Sequence, residues 1–233
     1  MSALTIVRKV VFRSVGEFFA NPDIAAMCQL NPVSAAVSTY FGGTYQQEQF
    51  ENLASFIDLI NAKLRNIENQ KIDQKFLESS DGKRIIGKIF RDIARDNRIE
   101  KLTAMANLTV NLFQKSKLNV DEREIYVDIL DALNVLQLSI LQRAMIEIKQ
   151  RAADPKSTPH KGFSWEKLHK EYESKGITGA LLLQSIRVLE SNGLVNQNNA
   201  DVQEENQTHF VTFFGEQFYA FITDSIAFDN LNL

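Results

Sequence analysis

Apolar side chains recur at spacings of three and four residues through the first two thirds of the chain. This spacing places them on one face of successive α-helices. No alternation of apolar and polar residues, which would favour β-strands, occurs before residue 190. The pattern predicts a mainly α protein in which residues 1–150 form a helical bundle.

One helix of this bundle carries a heptad-like seam, in which apolar residues alternate spacings of three and four. The seam consists of Phe50, Leu53, Ile57, Ile60, Leu64 and Ile67. Three consecutive leucines at 181–183 add apolar surface in another part of the chain. Because these residues offer more apolar area than one helix face needs, we predict a homo-oligomer with the seam as its self-association surface.

Residues 151–163 hold two of the four prolines and are interpreted as a linker between domains. Beyond the linker, helical and extended segments follow one another at short intervals. Ser164 and Thr178 are predicted to begin two helices, and Gly193 to end the second. Two short strands around a polar loop and a final helix follow. The order helix, helix, strand, loop, strand, helix predicts a C-terminal winged helix-turn-helix module over 164–233.

The charge of this module argues against DNA binding. From residue 161 onward the chain has five Lys and Arg and ten Asp and Glu, whereas DNA affinity depends on cations that neutralise phosphates. The first half of the second helix, "TGALLLQS", offers only Gln184 as a strong base-reading side chain. We therefore predict that the module serves protein contacts, through a surface formed by Thr178, Leu181, Gln184 and Arg187, or that it only packs against the bundle.

Basic residues concentrate instead in "KRIIGKIFRDIARDNR", residues 83–98. Five of them repeat at spacings that confine them to about 80° of arc and about 21 Å of length on an α-helix. They are Arg84, Lys88, Arg91, Arg95 and Arg98. A solvated helix face explains this stripe; the alternative is a site for an anionic partner, either nucleic acid or an acidic protein surface. Contact of the stripe with the acidic winged module, within a chain or between subunits, is a further hypothesis.

Composition and net charge exclude only a few classes of protein. The 233-residue chain has a formal net charge of −3, which gives no global signal for nucleic-acid binding. Its single cysteine excludes an intramolecular disulfide and favours a reducing compartment. The N-terminal residues mix basic and apolar side chains, whereas a signal peptide separates them. We therefore expect a cytoplasmic protein.

Residues 24–47 contain no charged side chain and are long enough to span a bilayer. Gln29, Asn31 and Pro32 interrupt the apolar character of the segment, and its small residues suit close helix packing. We favour a packed helical hairpin, with triggered membrane insertion as the alternative.

No catalytic signature is present in the sequence. His160, His169 and His209 lack metal-ligand spacing and are predicted to lie on the surface. Phosphate-binding loops and nucleophile elbows are absent as well. Asp92 and Asp96 could share a cation, but salt bridges with Lys88 or Arg95 explain them more simply. We expect no enzymatic activity, no metal and no cofactor.

Several longer segments carry a family resemblance. A proline-containing stretch of small residues precedes "QFENLASFIDLINAKLRNIENQKIDQKFLES", and "RIEKLTAMANLTVNLF", "DILDALNVLQLSIL" and "VTFFGEQFYAFI" follow. This order, which covers most of the chain, resembles bacterial accessory or abortive-infection (phage-resistance) proteins that combine a helical bundle with a C-terminal winged helix. The resemblance implies a defence or mobile-element context and brings no catalytic residues.

These observations favour a non-enzymatic protein-interaction protein, an adaptor or scaffold whose winged helix contacts protein. The first alternative is a transcriptional regulator that contacts DNA through the stripe at 84–98, with an affinity that falls steeply with salt. The second alternative is a membrane-inserting effector of a cell-suicide system that uses residues 24–47.

Overall fold

The computed structural model describes residues 44–65, 67–96, 98–152, 162–197 and 208–223. Several predictions from the sequence lie outside these residues. They are the helical stripe at 4–18, the hairpin at 24–47 except for its last four residues, residues 153–161 of the linker (His160 among them), and the loop between the two predicted strands.

The described residues form a mainly helical chain with a small three-stranded sheet. In chain order the elements are α1 (Thr44–Leu64), a short 3₁₀ helix (Asn69–Lys71), α2 (Gln74–Glu78), α3 (Ser80–Arg95), α4 (Ile99–Leu112), α5 (Val120–Ala132), α6 (Val135–Ala152), β1 (Gly162–Ser164), α7 (Trp165–Glu173), α8 (Gly179–Ser191), β2 (Val195–Gln197), β3 (Thr208–Val211) and α9 (Phe213–Thr223).

The chain divides into two compact units. The first, here called the helical unit, contains the described residues up to Asp131 together with Ile222 and Thr223. The second, the mixed unit, is Ala132–Phe221. Helix α6 lies mostly within the predicted bundle 1–150, but it contacts α8, β1 and β3 and is part of the mixed unit. The division falls at the last residue of α5, Ala132, ahead of the proline-containing segment.

The core of the helical unit is built around α4. Apolar residues occur on all sides of this helix, which is typical of a helix buried on every face, and the residues from Ala104 to Phe113 are all buried. Helix α1 packs against α3 and α4. The rings of Phe56 and Phe90 meet edge to face, with centroids 5.6 Å apart. The buried hydroxyl of Thr109 donates to the carbonyl of Met105 at 2.7 Å, so it is not left unpaired.

Arg123, on α5, is a buried cation at the base of the helical unit, with 3% of its surface exposed. Its guanidinium donates to the Asp73 carboxylate at 2.8 Å, to the Leu112 carbonyl at 3.1 Å and to the Ser116 hydroxyl at 3.2 Å. It also lies 4.0 Å from the centre of the Phe76 ring. Because a buried charge is costly unless it is paired, these contacts tie α2, the end of α4 and the start of α5 together.

A single serine joins α2 to α3. The Ser79 hydroxyl donates to the Phe76 carbonyl at 2.7 Å and accepts from the Gly82 amide at 3.0 Å, so it ends one helix and begins the next. The corner is tight because a Cβ at Gly82 would lie 1.9 Å from the Phe76 carbonyl oxygen.

The sheet of the mixed unit is antiparallel with the order β1-β3-β2. Ser164 caps α7 by accepting from the Lys167 amide at 3.4 Å, and Thr178 caps α8 by accepting from the Leu181 amide at 3.3 Å. Gly193 follows α8 with a φ of 70°, which suits glycine. The two predicted helix starts and the predicted end of the second helix are confirmed.

Replacing Arg123 with Ala should strongly destabilise the helical unit. The substitution leaves the Asp73 carboxylate and the Leu112 carbonyl without their partner, and breaking a buried pair in this way costs about 3 kcal/mol. Thermal unfolding followed by far-ultraviolet circular dichroism would measure the loss. Arg84→Gln, which removes an exposed cation from the same unit, should have a far smaller effect. Equal effects of the two substitutions would contradict the role given to Arg123.

Two glycines of α3 should respond to alanine with opposite signs. A Cβ at Gly87 projects into open space, so Gly87→Ala should raise the free energy of unfolding by about 1 kcal/mol through the better helix propensity of alanine. Gly82→Ala should lower it, because the new methyl group collides with the Phe76 carbonyl. Chemical denaturation of the two variants side by side would check the signs, and a loss of stability in Gly87→Ala would contradict the open environment of that position.

Candidate interaction surfaces

The basic stripe predicted from the sequence lies mostly on α3, and part of it is paired within the helical unit. Arg84 forms an ion pair with Glu124, and Lys88 forms one with Asp128. The hydrogen bond from Arg84 lowers the pKa of the Glu124 carboxyl. Both pairs join residues 40 positions apart, so α3 and α5 run side by side in the same direction. Two of the five predicted cations therefore hold two helices of the unit together.

Arg98 does not belong to the same helix face as the other four residues. Helix α3 ends at Arg95, and Asp96 has extended backbone with φ −121° and ψ 118°. The Arg98 Nε donates to the Asp96 carboxylate at 2.8 Å, and this contact holds the pKa of Asp96 at about 2. The prediction of one helix over 84–98 is wrong in this respect, because the Asp96 side chain closes the corner before α4.

The sequence predicts salt bridges from Asp92 and Asp96 to Lys88 or Arg95, and Asp96 has other partners. Asp96 pairs with Arg98 and, at 3.2 Å, with the buried Lys101, not with Lys88 or Arg95. Burial and the neighbouring Asp131 raise the pKa of Asp92. The nearby charges of Lys88, Arg91 and Arg95 lower the pKa of Asp92 and partly offset this rise. Asp96 thus helps to seat Lys101, which also donates to the Asp131 carbonyl at 2.6 Å.

Arg91 and Arg95 are the exposed remainder of the stripe. Neither has a carboxylate oxygen within 4 Å among the residues that the structure describes. They lie four residues apart on the outward side of α3, so they present two guanidinium groups one helical turn apart. The available positive charge is therefore smaller and more local than the sequence suggested.

The predicted self-association seam is largely used inside the helical unit. Leu53, Ile60 and Leu64 are buried, with exposed fractions of 7%, 4% and 2%. Ile57 and Ile67 are partly exposed, and the side chain of Phe50 lies outside the description. Because α1 packs this row against α3 and α4, the apolar area is consumed by the core and most of it is not free for a second copy.

The predicted contact surface on α8 does lie on one exposed side of the mixed unit. Thr178, Leu181, Gln184 and Arg187 are all exposed. Leu181 keeps 48% of its surface exposed, so a large apolar side chain lies among these polar residues. The opposite side of α8 is buried and consists of Leu182, Ser185, Ile186 and Leu189.

Most cations near this surface are bound to carboxylates of the mixed unit itself. Lys170 pairs with Glu166 at 2.5 Å, while Lys175 and Arg143 both pair with Glu171, at 2.8 Å and 2.6 Å. Among the described part of α8, Arg187 is the single basic residue. The outward side of α8 therefore carries one cation, Arg187, and one large exposed apolar side chain, Leu181.

His209 is buried, which corrects the prediction that it lies on the surface. It is 1% exposed and stacks on Phe163, with ring centroids 5.5 Å apart. Its Nε2 lies 3.8 Å from the Glu190 carboxylate, too far for a hydrogen bond, and its Nδ1 has no partner in the described structure. Burial lowers the pKa of His209 and raises that of Glu190.

The other histidine within the described residues is placed differently. His169 is partly exposed and stacks on Trp165, with ring centroids 5.5 Å apart. Trp165 in turn lies 6.4 Å from the His209 ring. The signal that could have found the burial of His209 is alternation along β3, where His209 and Val211 point inward, but four residues give a weak pattern.

No group of three or more His, Cys, Asp or Glu in the described ranges could hold a metal ion. No helix in those ranges is both long and apolar enough to cross a membrane. Comparisons of the chain with protein-family models, curated proteins and solved structures gave no match.

The stability of the mixed unit should fall as the pH decreases below about 6.5. The lowered pKa of His209 means that the unfolded chain takes up a proton in this range which the folded unit does not bind. Urea denaturation followed by Trp165 fluorescence at about pH 7.5 and about pH 5.5 would measure the change.

His209→Phe serves as the matched variant because it keeps a ring on Phe163 without a titrating group. It should lose part of the pH dependence, and an unchanged dependence would contradict the assignment to His209. The raised pKa of Glu190 acts with the opposite sign, since its proton uptake stabilises the folded unit as the pH falls from the raised value toward 4.5. Glu190→Gln would therefore expose the His209 effect more clearly.

Proposed function

We propose that the protein is a non-enzymatic bacterial adaptor or scaffold whose mixed unit is a winged helix that contacts another protein. The outward side of α8 would make that contact. The resemblance to abortive-infection proteins suggests a phage-defence or mobile-element setting for such an adaptor.

The order of elements in the mixed unit supports the winged-helix proposal. A first helix, α6, precedes β1; two helices, α7 and α8, follow; and β2 and β3 then pair so that β3 lies at the centre of the sheet. In a winged helix-turn-helix the second helix of the helix pair is the recognition helix. Helix α8 occupies that position, and α6 supplies an additional helix ahead of β1.

The exposed Leu181 is the observation that carries the functional proposal. A recognition helix that reads DNA presents Arg, Lys, Asn or Gln from its N-terminal half. The corresponding half of α8 exposes Ala180, Leu181 and Gln184. An exposed leucine beside small and uncharged side chains gains free energy when a protein surface covers it, whereas it offers nothing to a phosphate backbone.

The regulator alternative receives less support. Of the five stripe residues, Arg84, Lys88 and Arg98 already pair with carboxylates of the same chain. Two remaining arginines would give DNA affinity a shallow dependence on salt, since the slope grows with the number of phosphates neutralised. The membrane-inserting alternative depends on residues 24–47, of which only the last four are described.

Affinity purification from the native host with nuclease treatment should recover a protein partner in stoichiometric amount. Leu181→Asp should abolish the recovery, because it places a charge where an apolar contact is proposed. Ser191→Asp, which adds the same charge at an exposed position at the other end of α8, should leave the recovery intact.

Two results would overturn the proposal. One is equal recovery of the partner with Leu181→Asp and with the wild type. The other is recovery of nucleic acid in place of protein when nuclease is omitted, with a loss of that nucleic acid in Arg91→Glu; this outcome would favour the regulator.

A further inference from the structure

One end of the helical unit is built from two connecting segments that meet. The segment between α1 and α2 and the segment between α4 and α5 are joined by an antiparallel β-bridge. The Asp73 amide donates to the Phe113 carbonyl at 2.8 Å, and the Lys115 amide donates to the Lys71 carbonyl at 2.7 Å. Two stretches that are far apart in the sequence therefore form one surface.

This end of the unit is rich in cations. Residues 63–75 and 113–119 contain six Lys and Arg but only two Asp and Glu. One of the two carboxylates, Asp73, accepts from the buried Arg123 at 2.8 Å, and the other, Glu68, is exposed. Five of the six cations are exposed, and Lys63 is partly exposed. We call the surface that the six cations form the basic end; they are Lys63, Arg65, Lys71, Lys75, Lys115 and Lys117.

The bridge places like charges beside each other. Residues that flank the bridged pair lie opposite one another, so Lys71 lies opposite Lys115. Ser116 is turned inward, where it accepts from Arg123 at 3.2 Å, and the lysines on either side of it, Lys115 and Lys117, are exposed. Like charges directly opposite each other destabilise a pair of strands. An anion placed over them would remove this repulsion.

The side chains around the six cations indicate which anion fits. The two aromatic residues beside these segments, Phe76 and Phe113, are buried, with 7% and 0% of their surface exposed. The bases of a single strand stack on exposed aromatic rings, so a single strand finds no platform here. Five of the six cations are lysines, which protein interfaces avoid. In the described part of these segments no large apolar side chain is exposed, as an amphipathic contact with a membrane would require.

We propose that the basic end binds the phosphate backbone of double-stranded DNA without reading its sequence. Lysines that meet phosphates supply affinity and position the duplex, but they carry no sequence information. The formal net charge of −3 conceals such a surface, because residues from 161 onward alone contribute five more carboxylates than cations.

The basic end is distinct from the stripe on α3. Two of the stripe residues are paired with carboxylates of α5. In contrast, Arg65, Lys75 and Lys115 form no ion pair among the residues that the structure describes. The next carboxylates along the chain, Glu78 in α2 and Asp121 in α5, bound the basic end on those sides.

The inference does not depend on the proposed function. It concerns the helical unit, whereas the adaptor proposal depends on Leu181 in the mixed unit. Leu181→Asp should leave the binding of a duplex unchanged, so the failure of one proposal can be told from the failure of the other.

Fluorescence anisotropy of a labelled duplex of about 20 base pairs tests the inference with the full chain, at salt concentrations from about 50 to about 200 mM. The wild type should bind two duplexes of unrelated sequence equally, with a dissociation constant on the order of 1 µM at the lowest salt. If about four cations meet phosphates, the logarithm of the association constant should fall against the logarithm of the salt concentration with a slope of about −3.6.

Two double variants locate the contact. Lys75→Gln with Lys115→Gln should make the slope shallower by about 2 and weaken binding at least about tenfold at the lowest salt, because each lost phosphate contact removes about 0.9 from the slope. Arg91→Gln with Arg95→Gln removes the same charge from exposed positions on α3 and should leave the slope unchanged. Each single lysine variant should change the slope by about 1, a graded effect that misfolding would not produce.

Several outcomes overturn the inference. They are a wild type that does not bind the duplex at the lowest salt, binding confined to one of the two sequences, and a lysine double variant with the wild-type slope. Loss of binding in the arginine double variant alone would move the contact to the stripe on α3. Binding to phosphatidylserine vesicles without binding to the duplex would assign the basic end to an anionic membrane surface.

Discussion

The buried guanidinium of Arg123 determines how the helical unit is arranged. It joins Asp73 ahead of α2, the last carbonyl of α4 and Ser116 in the connection that follows, and it stacks on Phe76. Because an arginine with five donors satisfies all these groups at once, its position also fixes the rotation of α5 about its own axis. The side chain of Glu124, the next residue, then points toward α3.

That rotation explains the pairing of α3 with α5. Residues one turn apart share a helix face, so once Glu124 points toward α3, Asp128 does so as well. Arg84 and Lys88 have the same spacing and meet them. A buried ion contact therefore sets the alignment of two surface ion pairs that would contribute little on their own. In the same register Arg95 lies level with Val135, beyond the end of α5 at Ala132, so α5 offers it no partner.

The sequence predicted those features that depend on local chemistry. Helix spacing, the caps at Ser164 and Thr178 and the glycine after α8 follow from contacts within a few residues, and the structure has them. It did not predict features that depend on distant partners. The termination of α3 at Arg95 results from Asp96 turning to Arg98 and Lys101, and the placement of α6 results from its packing on strands that come later in the chain.

The candidate interaction surfaces could likewise be predicted only where they depend on residues close together in the sequence. The outward residues of α8 could be read from the periodicity of that one helix. The stripe on α3 could also be seen, but the carboxylates that neutralise part of it lie 40 residues away and leave no local signal. The seam on α1 looked available because a single sequence does not say which apolar face is covered; the same holds for His209.

The hydroxyl of Ser79 has a consequence for how this protein can change during evolution. It caps the end of α2 and the start of α3, and Ser79 is the single residue between these helices. The connection therefore cannot change length without moving α3. One inserted residue would turn α3 by about 100° relative to Asp73 and Arg123. Phe90 would then take the exposed place of Arg91, while Arg84 and Lys88 would take the buried places of Ile85 and Ile89. The corner thus sets the phase of α3, and its length is constrained as strictly as the identity of a buried side chain.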